Sequence, residues 1–253
     1  MANLACTYSD QGKWNEAEQL EVEVLDMRKK LLGAEHPDTL LSMGNLARTY
    51  ANKGNLKEAE QLEIEVLNMT KKLFGTNHPD TLLSMGNLAR TYANKGNLKE
   101  AEQLDIEVLD MRKKLFGAEH PDVLLSMANL ACTYSDQGKQ NEAEQLKIEV
   151  LAMRRKLFGA EHPDTLLSMG NLACTYSDQG KWNEAEQLEI EVLDMRKKLF
   201  GAEHPKTLLS MENLARTYAN KGNLKEAEQL GIEVLGIRKK LFGTEHPDTL
   251  LAL

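Results

Sequence analysis

His36-Pro37-Asp38-Thr39-Leu40-Leu41, followed closely by Asn45-Leu46-Ala47-Arg48-Thr49-Tyr50, decides how the chain is read, because neither segment occurs once. Asn-Leu-Ala recurs at Asn3, Asn45, Asn87, Asn129, Asn171 and Asn213, in steps of 42 residues. His-Pro recurs at Pro37, Pro79, Pro121, Pro163, Pro205 and Pro247 in the same step of 42. A fixed period of roughly 20–50 residues marks an array of stacked units rather than separate domains. Leu46–Asn87 and Leu88–Asn129 differ at 7 of 42 positions, among them Thr70/Arg112, Thr81/Val123 and Gly86/Ala128. Units this similar stack through similar interfaces, so one repeated letter becomes a row of side chains.

Working outward within one copy, Pro37 suits the first position of a helix, where its missing N–H costs nothing, and Asp38 suits the positive end of the helix dipole. Leu40, Met43, Leu46, Ala47 and Tyr50 follow at helical spacing. Gly54 ends this helix, expected over roughly Asp38 to Asn52. A second helix is expected from about Leu56 to Leu73. Ala59, Leu62, Val66, Met69 and Leu73 step by three and four along one face, and Ile64, Leu67 and Phe74 make a second apolar patch. A helix apolar on two sides fits the middle of a stack. The fold class is therefore all-α: an α-solenoid of antiparallel helix pairs, with about six repeats forming a single array over 1–253. The first helix is expected to be truncated at 1–10, and 247–253 to form an orphan helical turn. Gly231 and Gly236 weaken the last long helix, which is expected to fray first.

The pattern Asn-Leu-Ala-x-x-Tyr-x-x-x-Gly-x-Leu-x-x-Ala-Glu, from Asn45 to Glu60, resembles a tetratricopeptide repeat, with Leu46, Ala47, Tyr50, Gly54, Leu56 and Ala59 at the matching places. The period of 42, together with Leu-Phe-Gly-x-x-His-Pro-Asp and Asn-Leu-Ala, resembles the kinesin-light-chain type of that family. The resemblance extends over essentially the whole chain. It implies a right-handed superhelix whose first helices face a concave side. It also implies that an Asn row there holds the backbone of an extended peptide. One departure is Glu63, with Asp105, Lys147, Glu189 and Gly231 at equivalent positions, where the family usually carries an aromatic.

Composition narrows the classes of function. Hydrophobic content of 42% and charged content of 28% suit a folded water-facing protein. A net charge of −8 disfavours nucleic acid and anionic membrane as partners. No run reaches the roughly 18 apolar residues of a membrane span, and no basic-then-apolar leader is visible. Cys6, Cys132 and Cys174 share one repeat position. Equivalent helices in a stack lie about 8–10 Å apart, too far for a disulfide, so free thiols and a cytoplasmic location are expected.

No catalytic constellation is expected, and no metal or cofactor. The six His residues fall one per connection and read as helix caps rather than converging ligands. The Tyr residues read as core, Gly44 as a point of close helix approach, and Glu58, Glu60, Glu63 and Glu65 as a solvated face with partners such as Lys57. The candidate binding residues are the row Asn3, Asn45, Asn87, Asn129, Asn171 and Asn213. An amide offers both a donor and an acceptor, and can read a backbone whatever the ligand's side chains. Arg48, Arg90 and Arg216 lie three residues further on the same face and can fork onto carboxylates. The equivalent copies carry Cys, with Asp10, Asp136 and Asp178 near the helix end. The expected function is a non-enzymatic protein-interaction scaffold that binds an extended peptide, with an acidic segment over the basic zone. The alternative is a structural array that stacks head-to-tail on itself.

Overall fold

The computed structural model describes residues 2–246 and 249, with the side chains of Ala2, Asn3, Cys6 and Asp10 outside that description. The expected turn at 247–253 falls almost wholly outside the described residues. All described elements are α-helices: α1 (Ala2–Asp10), α2 (Trp14–Leu32), α3 (Pro37–Asn52), α4 (Leu56–Phe74), α5 (Pro79–Asn94), α6 (Leu98–Phe116), α7 (Pro121–Asp136), α8 (Gln140–Phe158), α9 (Pro163–Asp178), α10 (Trp182–Phe200), α11 (Pro205–Lys221) and α12 (Leu224–Phe242). They form two compact units, Met1–Gly138 and Lys139–Leu253. Within each unit consecutive helices pack on one another through short connections, the arrangement of an α-solenoid.

The helix limits follow from local chemistry. His36 caps α3: its Nδ1 accepts the Asp38 N–H at 3.2 Å, and Pro37 fills the first turn. His78, His120, His162 and His204 repeat the cap. Phe74 stacks on His78 with centroids 4.6 Å apart, tying the end of one helix to the start of the next. At the other end of α3 the chain reverses through Gly54, whose φ of 83 lies where only glycine is comfortable. The Asn55 N–H then reaches back to the Tyr50 carbonyl at 2.8 Å.

The core is one motif repeated. Leu67 of α4 is buried with Leu82, Met85 and Leu88 of α5 and Val108 of α6, edged by Tyr92, Leu104 and Met111. In the second unit Leu151, Leu166, Met169, Leu172 and Val192 occupy the equivalent places, edged by Tyr176. Leu67 therefore serves the following pair while Val66, one residue earlier, serves its own. This is why the second helix of each pair is apolar on two sides. Full burial of each such side chain is worth about 1.5–3 kcal/mol.

Two expectations need correction. The acidic face of α4 is not wholly solvated: Glu63 is 4% exposed, and Glu21 and Glu189 are equally enclosed. They sit where the following pair's Thr49, Thr91 and Thr217 pack against the helix. Glu60 is not held within its own helix but pairs with Lys95, at the far end of α5. Gly44 does not mark a close approach, since a Cβ built there meets nothing within 4 Å. Its absence of side chain opens surface instead.

Candidate functional site

That surface is set by the burial pattern of α3. Thr39, Leu40, Ser42, Met43, Leu46, Ala47 and Thr49 face inward. Leu41, Gly44, Asn45 and Arg48 are left along the opposite stripe, and α5 leaves Leu83, Asn87 and Arg90 in the same register. In the first unit the two stripes line one groove of about 460 Å³, closed at one side by Val66, Thr70 and Phe74 of α4. Four of the residues expected to bind therefore do come together: Asn45, Asn87, Arg48 and Arg90. Leu41, 58% exposed, and Leu83, 52% exposed, give the groove an apolar element.

Among the described residues, no hydrogen bond reaches the amides of Asn45 or Asn87, and no ion pair engages Arg48 or Arg90. The amides do not tie neighbouring repeats together, although each has the capacity to do so. Behind the groove, burial pushes the Glu63 carboxyl above its ordinary range, and the neighbouring Thr91 hydroxyl and Arg90 charge oppose the shift. Burial does the same to Asp105, whose carboxylate accepts the Thr133 hydroxyl at 2.7 Å.

The second unit carries a smaller groove of about 130 Å³, lined by Asn171, Cys174 and Gly170 of α9, Glu189 and Arg196 of α10, and Asn213 of α11. Cys174 stands where the first unit has Arg48, and burial raises its thiol pKa. Arg216 is exposed and donates to the Asn213 amide oxygen at 3.4 Å. Asn129 is exposed on α7, and the side chain of Asn3 lies outside the described residues. Asp136 and Asp178 are exposed at the ends of their helices. Neither Cys132 nor Cys174 forms a disulfide. Among the described residues, no group of three or more His, Cys, Asp or Glu side chains is arranged to hold a metal ion, and no helix is long and apolar enough to cross a membrane.

Thr70 and Phe74 were not anticipated in the groove wall. Thr70 was visible as a difference between copies, but its consequence depends on what an arginine does at that place in the other repeats.

Comparison with known proteins places the chain. Tetratricopeptide repeat family models match residues 1–38, 39–80, 165–206 and 207–248, and a second such model matches 80–156. No curated protein sequence matches the chain. Among solved structures, a kinesin-light-chain-like protein of Podosopora anserina with nearly identical TPR-like repeats is 36% identical over 82% of this chain and 99% of that one, with a TM-score of 0.73. BtubC of P. vanneervenii shares the fold at 20% identity, with a TM-score of 0.77 over 92% of this chain and 94% of that one. The quorum sensor NprR of B. thuringiensis shares it at 17% identity, with a TM-score of 0.68 over 98% of this chain and 68% of that one. On the family matches and the identity to the P. anserina repeats, the chain belongs to the tetratricopeptide repeat family, in its kinesin-light-chain-like form.

Proposed function

We propose that the chain is a protein-interaction scaffold that holds an extended peptide in the groove between α3, α4 and α5. The observation that carries this reading is the set of polar groups on one concavity that make no hydrogen bond or direct ion pair among the described residues: the amides of Asn45 and Asn87 beside the guanidinium groups of Arg48 and Arg90. Each amide carries both donors and an acceptor, as an extended backbone carries both N–H and C=O groups, so the two can pair with it. The two arginines, beside exposed leucines, favour a segment that carries carboxylates. The fold is compatible with this use, since NprR has been crystallised with its cognate peptide NprX.

Asn171 and Asn213 offer the same backbone reading in the second unit, with Cys174 and Arg216 in place of the arginine pair. Acidic side chains therefore belong over the Arg48 and Arg90 pair of the first unit, with Arg216 alone to meet them in the second. The test is a peptide-library selection followed by titration of the selected peptides. Asn45→Ala with Asn87→Ala should weaken every selected peptide by about tenfold, two hydrogen bonds at about 0.5–1.5 kcal/mol each. Arg48→Ala with Arg90→Ala should weaken acidic peptides alone, and less at high salt. Unchanged affinity in both double variants removes the reading.

A further inference from the structure

Five of the six copies carry arginine at one position: Arg28, Arg112, Arg154, Arg196 and Arg238. The second copy carries Thr70 there. The arginine has a defined place. Arg112 is 8% exposed, and its Nη1 donates to the Asp122 carbonyl at 3.1 Å and to Ser126 Oγ at 2.9 Å. Arg154 does the same to the Asp164 carbonyl at 3.0 Å and Ser168 Oγ at 2.8 Å. Arg196 reaches the Lys206 carbonyl at 3.0 Å and Ser210 Oγ at 2.8 Å. Arg28 reaches the Asp38 carbonyl at 2.8 Å and Ser42 Oγ at 2.7 Å. A guanidinium lying across the start of the next helix is thus part of the ordinary repeat junction.

At Thr70 the acceptors persist and the donor is gone. The Thr70 hydroxyl turns back to the Leu67 carbonyl of its own helix at 3.1 Å. Ser84 Oγ bonds only the Asp80 carbonyl, at 2.8 Å. Ser84 is 7% exposed, against 4% for Ser42, 2% for Ser126, 5% for Ser168 and 3% for Ser210, whose arginines cover them. The space opens into the groove of about 460 Å³, whereas the groove walled by Arg196 holds about 130 Å³. The Asp80 carboxylate stands at the rim, in the place of the Asp122 carboxylate that favours the charged form of Arg112. Val66 and Phe74 offer an apolar wall for an aliphatic stem.

We infer that this gap is a socket for a guanidinium group, filled by an arginine side chain of the bound peptide. The ligand's arginine donates to the Asp80 carbonyl and Ser84 Oγ as the chain's own arginines do at the other junctions. The inference rests on the peptide-binding reading and makes it more specific. A partner segment combines one arginine, seated at Thr70, with carboxylates placed over Arg48 and Arg90.

The experiment follows backbone amide shifts of the isotope-labelled full chain as N-acetyl-arginine amide is added, with N-acetyl-citrulline amide as the neutral isostere. Saturable shifts are expected at Thr70, Asp80 and Ser84 with the arginine compound, and binding about tenfold weaker with citrulline. Thr70→Arg installs the residue that the other junctions carry, so it keeps the fold, which a thermal melt verifies. It should abolish the shifts. Equal response to citrulline, persistence of the shifts in Thr70→Arg, or no shift at these three amides overturns the socket. If acidic peptides bind the groove while the arginine compound leaves it unperturbed, the socket falls and the peptide reading stands. If the arginine compound binds and no selected peptide does, the socket stands and the peptide reading falls.

Discussion

A single side chain acts here according to whether its repeat supplies a partner. Glu63 is the clearest case. Its letter sits among Glu58, Glu60 and Glu65, and nothing local separates it from them. The packing of the following pair against that part of α4 encloses it, and the sign of this in the sequence was its place at a position where the family usually carries an aromatic. The consequence has a sign. Its folded pKa is raised above the ordinary 4.5 by burial. The folded chain therefore holds the proton over a range where the unfolded chain has released it. Stability is undiminished below the ordinary value and is lost as pH rises through the raised folded value. Glu63→Gln should leave urea unfolding unchanged below pH 4.5 and raise the midpoint at neutral pH. Equal midpoints at neutral pH would mean that the carboxylate is satisfied when charged. The Asn and Arg positions were legible, because their exposure follows from the spacing of Leu40, Met43, Leu46 and Ala47 on the same helix. Gly44 was read from its smallness alone, which does not distinguish a close neighbour from open space.

At the scale of an element, each pair is set by its ends. The caps and breaks lie within a few residues of one another, so the limits of α3 and α4 could be read to within a residue. His78→Ala removes both the cap on Asp80 and the stack on Phe74. It should lower stability by about 1 kcal/mol in chemical denaturation. The last helix makes the opposite prediction. Gly231 and Gly236 lie inside α12, and a Cβ at either meets nothing within 4 Å. Gly231→Ala and Gly236→Ala should each add about 1 kcal/mol, and hydrogen exchange should slow in α12 before it slows elsewhere. A loss of stability in either variant would mean that the glycine accommodates something at the end of the stack.

For the whole molecule, stability is expected to behave as a sum of neighbouring junctions, since each core cluster draws only on three successive helices. Met85→Ala should cost about 2–5 kcal/mol, and the loss of exchange protection should centre on α4 to α6 while α10 to α12 keep theirs. Uniform loss across both units would contradict nearest-neighbour coupling. The period of 42 was enough to read this additivity, but not the division into Met1–Gly138 and Lys139–Leu253, which no break in the repeat announces. The sameness of the junctions has a further result. Removing Leu46–Asn87 would splice Asn45 directly to Leu88, leaving the same neighbouring letters on each side of the seam. The shortened chain should fold as readily as its parent, yet it would have discarded Thr70, the one junction in the series that an outside arginine could complete. Length in such an array is interchangeable, and individuality resides in the positions where one copy departs from the rest.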